Sequence, residues 1–222
     1  MIKVGTTSID KVYVGSNEVT KAYIGTNIIY ESNPSLPYDA QVEYLQTTGT
    51  QYINTGISPS SITPIIEARM YEPSVTSNFY VFGADASGNT RFSFAFLTSN
   101  RIEFRMGNYV PVASSIGWHT IKMDGSNGDY FIDDEKKGNS TYRTFSSTNP
   151  LLIFTSYGAD NAIRAIVNGA RISSYKLYDG TNLLQDMISV RVGQVGYMYD
   201  RVSNTLFGNA GTGDFVIGND IN

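Results

Sequence analysis

The sequence predicts an all-β protein of the sandwich or jelly-roll type, and three observations carry this prediction. Short apolar or alternating runs recur along the chain, clusters of Gly, Asn, Asp and Ser separate them, and no window keeps the period of about 3.6 residues that marks an amphipathic helix. Many short strands with turns between them are typical of β-sandwiches. The runs lie at 42–45, 51–53, 64–71, 79–83, 91–97, 101–106, 118–123, 129–133, 151–155, 163–167, 171–178, 187–192, 196–199 and 214–217.

Composition agrees with this class. Of the 222 residues, 41% are hydrophobic and 16% are charged, against a usual charged share of about 25%. The chain holds 21 Gly, 16 Tyr and 11 Phe, and aromatic residues favour strands whereas glycine favours turns. Single β domains run to roughly 200–250 residues, so the length allows one full-sized domain with an appendage.

Several function classes are excluded or disfavoured by what the sequence lacks. Cysteine is absent, which excludes a disulfide scaffold and sulfur-ligated metal, and the single histidine, His119, forms no His-rich metal cluster. A net charge of −4 with scattered Lys and Arg predicts no nucleic-acid partner. No apolar run approaches about 18 residues, and the first 30 positions lack a signal-peptide pattern, so neither a membrane span nor standard export is expected.

The first 30 residues contain a repeat with a period of ten. Gly followed by Ser or Thr recurs between β-branched and aromatic residues, which is a short hairpin signal because glycine tolerates the backbone of tight turns. The pattern predicts a four-stranded β-meander. Its strands are expected near 2–4, 8–14, 18–24 and 28–30.

This small sheet has apolar side chains on both faces, so at least one face is expected to be buried against another surface. It either packs on its own domain or docks to a partner assembly. The docking hypothesis assigns the contact to Tyr13, Val14, Val19, Tyr23, Ile24 and Ile29.

A linker is predicted over residues 32–41, because Pro34 and Pro37 restrict the backbone and no periodicity is present there. The predicted organisation is therefore a repeat over 1–31, this linker, and a single β-rich domain over 42–222.

Several segments within 42–218 resemble a known family in their order and spacing. They are the stretch from Tyr44 to Gly56 (YLQTTGTQYINTG), Val81–Gly83, Gly117–Ile121, Arg171–Tyr178 and the ending from Val195 to Phe215. Together they resemble the laminin-G-like, concanavalin A-like lectin/glucanase jelly rolls of gut bacteria and their phages. The resemblance implies a concanavalin A-like jelly-roll β-sandwich, here preceded by the small β-meander.

The decapeptide repeat also resembles short N-terminal segments of phage structural proteins. This implies a virion surface protein, either capsid-decorating, a head fibre or tail-associated, which binds other virion proteins through residues 1–31. The expected location is then the virion surface after assembly in the host cytoplasm, and a host-surface or mucosal glycan is an expected ligand. A homo-oligomer is left open.

Catalysis is not expected. Retaining glucanases need two carboxyl groups roughly 5–5.5 Å apart, which on a strand requires acids spaced by two. Glu67 and Glu72 are five positions apart, and the run from Asp133 to Glu135 is interpreted as a solvated turn. Trp118 is expected to fill the core, with His119 on the opposite face.

Binding residues are instead expected on loops, which carry function on rigid sandwiches. The loop around 156–161 combines an aromatic, an acidic and an amide residue, and the candidate ligand-binding residues are Tyr157, Asp160, Asn161 and Arg164. No cofactor is expected, and calcium at Asp85, Asp160 and Asn161 is the alternative, because calcium takes converging oxygen ligands.

The first functional hypothesis is thus a non-enzymatic virion surface protein that displays a lectin-like domain, with glycan adhesion as its activity. The alternatives are a carbohydrate-binding module of a bacterial surface protein and, third, a glycoside hydrolase or lyase.

Overall fold

The structure is a computed structural model that describes residues 3–4, 7–8, 13–14, 17–19, 21–24, 26–31, 36–84, 91–106, 108–140, 145, 147–158 and 160–221. The chain divides into two compact units, Met1–Pro37 and Tyr38–Asn222. The division falls inside residues 32–41, and the roles predicted for the segments on either side of it stay predictions. Each unit is described by itself.

The N-terminal unit contains three separate two-stranded antiparallel hairpins among its described residues. The strands are β1 (Lys3–Val4), β2 (Thr7–Ser8), β3 (Tyr13–Val14), β4 (Asn17–Glu18), β5 (Lys21–Ile24) and β6 (Asn27–Glu31). The closing pairs are Val4 with Thr7, Val14 with Asn17 and Ile24 with Asn27.

This pairing differs from the four continuous strands expected from the sequence. The turn signal occurs once in each ten-residue copy, and two residues separate the closing pair of each hairpin. Because two-residue loops make the tightest hairpins, each copy pairs with itself.

The C-terminal unit consists of two antiparallel sheets. The larger sheet has twelve strands: β7 (Ala40–Val42), β8 (Leu45–Thr48), β10 (Pro64–Glu72), β15 (Gly117–Asp124), β16 (Asp129–Ile132), β17 (Glu135–Asn139), β19 (Asn168–Asp179), β20 (Asn182–Val192), β21 (Val195–Asp200), β22 (Thr205–Phe207), β23 (Val216–Ile217) and β24 (Asp220–Ile221). The smaller sheet has six: β9 (Ile53–Asn54), β11 (Phe79–Ala84), β12 (Phe92–Leu97), β13 (Arg101–Met106), β14 (Asn108–Ala113) and β18 (Leu152–Ile153).

The order of strands in the larger sheet places β10 and β19 near its middle. The main path runs β17-β16-β15-β10-β19-β20-β21-β22, and β7, β8, β23 and β24 pair beside it. The smaller sheet runs β14-β13-β12-β11-β18-β9. A 3-10 helix over Pro59–Ser61 adds one short turn, and among the described residues no helix has the length and apolar character needed to span a membrane.

Aromatic side chains from both sheets fill the core. Phe82 of the smaller sheet contacts Tyr175 of the larger sheet with ring centroids 5.6 Å apart, and Phe104 stacks on Tyr130 at 4.7 Å. Phe94 lies beside both Phe82 and Phe104. All five rings are almost completely buried, so the two inner faces are joined by one continuous aromatic cluster.

Gly83, in the segment Val81–Gly83 noted in the sequence, occupies a position that requires glycine. Its φ is 132°, and a Cβ at this position would collide with the backbone of Phe92 and Ser93 on the adjacent strand. Only glycine combines this backbone with so close an approach.

The prediction of an all-β sandwich is confirmed, and most predicted runs coincide with strands. The differences are at edges. The run 163–167 forms only isolated bridges at Ile163 and Ile166, whereas β14, β17, β22 and β24 were not predicted. These four are edge strands with exposed or half-exposed residues, so they lack a continuous apolar pattern.

We expect Phe82→Ala to lower the free energy of unfolding by about 3–5 kcal/mol, because it removes a fully buried ring at the contact between the sheets. Phe131→Ala, at a half-buried position on β16, is the control and should cost about 1 kcal/mol or less. Urea unfolding followed by tryptophan fluorescence measures both. Equal costs for the two variants would contradict the assignment of the core.

Candidate functional site

A row of four side chains crosses the outer face of the larger sheet. Trp118 on β15 lies opposite Tyr71 on β10, Tyr71 lies opposite Arg171 on β19, and Arg171 lies opposite Gln46 on β8. All four are half-buried, whereas the residues next to them along each strand, apart from Gly117, point inward and are buried. The outward row follows from the alternation of side chains in a strand.

Tyr44, just before β8, completes an aromatic cluster with this row. The ring centroid of Trp118 lies 5.9 Å from that of Tyr71 and 6.2 Å from that of Tyr44. The guanidinium carbon of Arg171 lies 4.4 Å from the centroid of Tyr44 and 4.8 Å from that of Tyr71. The Arg171 side chain is thus held between two aromatic rings, and its Nε donates to Oε1 of Gln46 at 2.7 Å.

Two adjoining grooves lie on this face. The larger has a volume of about 510 Å³, and its lining residues are Glu43, Tyr44, Arg69, Trp118, Arg171, Ser173 and Ile221. The smaller has a volume of about 340 Å³, and its lining residues are Glu67, Ala68, Arg69, Thr120, Ser174 and Lys176. Arg69 lines both grooves, so together they form one elongated surface, which we call the aromatic groove.

A buried histidine lies on the other face of β15, behind Trp118. The Nδ1 atom of His119 is 2.7 Å from Oδ2 of Asp133, and its Nε2 atom is 2.8 Å from the carbonyl oxygen of Ser115. Asp133 also accepts a hydrogen bond at Oδ1 from the backbone N–H of Thr120, at 2.8 Å. Asp133 therefore ties the turn between β16 and β17 to β15.

The partners of the His119 ring define its charge. A carboxylate and a carbonyl oxygen only accept hydrogen bonds, so this arrangement favours a ring in which both nitrogens donate, which is the imidazolium form. Burial by itself lowers the pKa of His119, but the hydrogen bonds to Asp133 and Ser115 and the charges of Asp133 and Glu72 outweigh it and raise the pKa above its ordinary value of 6.5.

Glu72 is the second buried charge in this region. Both carboxylate oxygens are buried and lack a hydrogen-bond partner within normal geometry, as does the hydroxyl of Ser114, which faces them. Burial raises the pKa of Glu72 above its ordinary value, and the nearby Ser114 hydroxyl and the positive charge of His119 oppose this effect. The opposite charges of Glu72 and His119 offset part of the cost of burying each side chain on the inner face of the larger sheet.

The arrangement Asp133, His119 and Ser115 resembles a hydrolytic triad in its composition but cannot act as one in this geometry. A triad needs a free lone pair on Nε2 to take the serine proton. Here Nε2 donates to the Ser115 carbonyl, and the Ser115 hydroxyl lies farther away, at 3.4 Å. Glu67 and Glu72 also face opposite sides of β10, so they do not form a catalytic carboxylate pair.

Because His119 is the only histidine in the sequence, the histidine signal in an NMR titration belongs to it without further assignment. We expect the NMR titration of His119 to have a midpoint above 6.5, and its contribution to stability to be complete below pH 6.5 and lost as the pH rises through the folded-state pKa. Asp133→Asn should lower this midpoint, because it removes the carboxylate charge.

Asp134→Asn is the matched control, since Asp134 occupies the same turn with a similar positive φ and no bond to His119. It should leave the midpoint unchanged. A wild-type midpoint at or below 6.5 would contradict the assignment of an imidazolium.

The loop predicted to bind a ligand brings its four residues together but uses their polar groups internally. Asp160 pairs with Arg164 at 3.2 Å, and the amide oxygen of Asn161 accepts a hydrogen bond from Asn149 at 2.7 Å. Tyr157 is half-buried and forms an isolated bridge with Ile163. The loop is thus stabilised by contacts among its own residues and with Asn149. Ligand binding by the four residues stays a prediction.

The calcium alternative also stays a prediction. Within the described ranges, no three or more His, Asp or Glu side chains lie close enough to hold a metal ion. Asp85 lies outside those ranges, and Asp160 is engaged with Arg164.

Three of the predicted docking residues have described side chains. Val14 is 71% exposed, Tyr23 is 54% exposed and Val19 is half-buried. Tyr13, Ile24 and Ile29 lie in strands, but their side chains are outside the described part of the molecule. Their contact with a partner stays a prediction.

The expected orientation of Trp118 and His119 was wrong. Trp118 lies on the outer face and His119 is 8% exposed on the inner face. The alternation from 118 to 123 contains the signal, because His119 shares its phase with Ile121 and Met123, whereas Trp118 shares its phase with Thr120 and Lys122. The same pattern on β10 places Arg69 and Tyr71 in phase with Glu67.

Comparison with known proteins supports the fold. No family model and no curated protein sequence matches the chain. A solved structure from Bacteroides ovatus ATCC 8483, of a protein provisionally assigned to carbohydrate binding, matches with a TM-score of 0.50 at 14% identity over 87% of this chain. The heptameric SAP-like pentraxin from Limulus polyphemus matches with a TM-score of 0.49 at 10% identity, over 82% of this chain and 95% of its own.

The C-terminal unit thus has a jelly-roll, lectin-like fold, as the sequence predicted. This chain spans 63% of the Bacteroides ovatus chain. At 14% identity the likeness concerns the fold alone.

Proposed function

We propose that this chain is a non-enzymatic carbohydrate-binding module and that the aromatic groove is its binding site. The observation that carries the proposal is the cluster of Tyr44, Tyr71 and Trp118, which are half-buried on an outer sheet face beside a groove of the C-terminal unit. Sites for small ligands combine aromatic surface with a few polar groups that fix orientation, and this groove does so.

The chemistry of the groove suits a sugar. The apolar C–H faces of a pyranose ring pack on aromatic rings, while its hydroxyl groups need hydrogen-bond partners. Trp118 supplies the aromatic surface, and Arg69, Ser173 and Glu43 supply donors and acceptors around it. The strands fix these groups, since β10, β15 and β19 pair along most of their lengths.

The similarity to the Bacteroides ovatus structure agrees with the proposal without carrying it. That protein is provisionally assigned to carbohydrate binding, and the two chains share a jelly-roll fold. The same fold carries many functions, so the groove and its side chains remain the basis of the proposal.

We expect Trp118→Ala to weaken glycan binding at least about tenfold, because the ring is the central contact of the groove. Binding is measured on a glycan array with the whole chain and then by calorimetry on any positive glycan. Tyr178→Ala, on the same face but lining neither groove, is the matched control and should bind normally.

Tyr157→Ala separates the groove from the loop predicted from the sequence. Normal binding by this variant together with loss in Trp118→Ala supports the groove. The reverse result would place the site in the loop, and turnover of a polysaccharide would favour the third alternative, a glycoside hydrolase or lyase.

A second candidate function, docking of the N-terminal hairpins in a virion, is favoured by the exposure of Val14 and Tyr23. Apolar residues on a small, isolated hairpin are poorly protected from water, which favours a covering partner. In this setting the module is carried on a virion surface and its hairpins hold it there.

Deletion of residues 1–37 tests the docking role. The remaining unit contains the whole core, so we expect its melting temperature to change by less than about 3 °C and glycan binding to persist. The deleted chain should no longer be incorporated into phage particles when it is expressed during infection. Normal incorporation would contradict docking through these residues.

A further inference from the structure

The aromatic groove carries more positive charge than the chain as a whole. The chain has a net charge of −4, yet three cationic side chains, Arg171, Arg69 and Lys176, line the two adjoining grooves. Arg69 is the shared residue, so the cations extend along the whole surface. A ligand in this groove meets a positive field on an otherwise acidic protein.

Arg171 is prepared to bind an anion. Its guanidinium lies between the rings of Tyr44 and Tyr71, and only Nε is used, in the bond to Gln46. In the described part of the chain, its two terminal nitrogens have no carboxylate partner. A planar guanidinium held in place with free terminal donors can bind a carboxylate or sulfate through two hydrogen bonds.

Lys176 adds a second unneutralised charge at the other end. It lies opposite Glu67 across the β10–β19 pair, but Glu67 forms its ion pair with Lys122, at 3.0 Å. Glu67 therefore lies between two lysines. Asp186, opposite Lys176 across the β19–β20 pair, forms its ion pair with Arg201 at 2.7 Å, and among the described residues Lys176 has no ion pair of its own. The net charge at this end of the groove is positive.

The acidic groups near the groove do not cancel these charges. Glu43 accepts hydrogen bonds from the backbone and side-chain nitrogens of Asn219, at 3.1 Å and 3.0 Å. Asp133 lies 3.6 Å from Arg69 but is bound mainly to His119 and Thr120. Arg69 is therefore partly neutralised, and Arg171 and Lys176 are the cations free to bind a ligand.

We infer that the ligand of the aromatic groove is an acidic oligosaccharide, one that bears carboxylate or sulfate groups. This inference rests on the proposed function and names its ligand class. A sugar ring packs on Trp118, one acidic group binds Arg171, and a second acidic group farther along the oligosaccharide binds near Lys176. A nucleic acid fits less well, because it needs a long basic face rather than three cations among aromatic rings.

Matched pairs of polysaccharides test the inference. The probes are polygalacturonate and its fully methyl-esterified form, and chondroitin sulfate and its desulfated, carboxyl-reduced form. We expect the acidic member of at least one pair to bind about tenfold more tightly than its neutral partner, and its affinity to fall between about 50 and 300 mM sodium chloride.

Two variants assign the charge preference to named residues. Arg171→Gln should weaken binding of the acidic probe about tenfold, and Lys176→Gln should weaken it about threefold. Lys176 is a surface residue outside the aromatic contacts, so its variant stays informative if Arg171→Gln disturbs the fold. Lys137→Gln, which lines neither groove, is the charge-matched control and should bind normally.

The outcomes separate the inference from the proposed function. Neutral glycans bound as tightly as acidic ones, with loss in Trp118→Ala, would overturn the inference and leave the carbohydrate-binding module in place. No binding to any glycan would overturn both. Tighter binding of a single-stranded DNA oligonucleotide than of every acidic glycan would also overturn the inference.

Discussion

The two-residue alternation of side chains along β10, β15 and β19 is the constraint on which the rest of this structure depends. On each strand, one set of residues must fill the core, and the other set is then fixed on the outer face. Met70, His119 and Ile172 point inward, so Tyr71, Trp118 and Arg171 point outward in a row. A shift of one residue would bury the arginine and expose the core. The packing of the core thus holds the groove in place.

Asp133 links the two faces of the sheet. Its carboxylate binds the His119 ring on the inner side and the Thr120 backbone on β15, and it lies near Arg69 on the outer side. The hydrogen bonds from Thr120 and His119 and the charges of His119 and Arg69 lower the pKa of Asp133, although burial opposes them. A residue in a two-residue turn therefore connects a buried charge to the rim of the groove.

Much of the fold is predictable from the sequence because central strands carry their own signal. The runs 64–71 and 171–178 alternate or are continuously apolar, and both form long strands in the middle of the larger sheet. The edge strand β17 has the sequence EKKGN, which no apolar pattern distinguishes from a turn. Edge strands are stabilised by pairing with a neighbouring strand, and this pairing leaves no pattern in the residues of the edge strand itself.

The candidate site was less predictable, because its residues come from four separated strands. Tyr44, Tyr71, Trp118 and Arg171 are unremarkable one by one, and only the register of the strands places them side by side. The outward orientation of Trp118 follows from its neighbours, because it alternates in step with Thr120 and Lys122. The expectation that a large aromatic residue is buried conflicts with this pattern. The loop around Asp160 contains its own ion pair, and ligand binding by its residues stays a prediction.

The three N-terminal hairpins have a consequence for how this protein can change in length. Each hairpin pairs locally around the turn of one copy, at 3–8, 13–18 and 21–31. A duplication or loss of one copy in the gene therefore adds or removes a complete hairpin and leaves the pairing of the others intact. Evolution can adjust the span of this segment in unit steps, independently of the jelly roll that follows it.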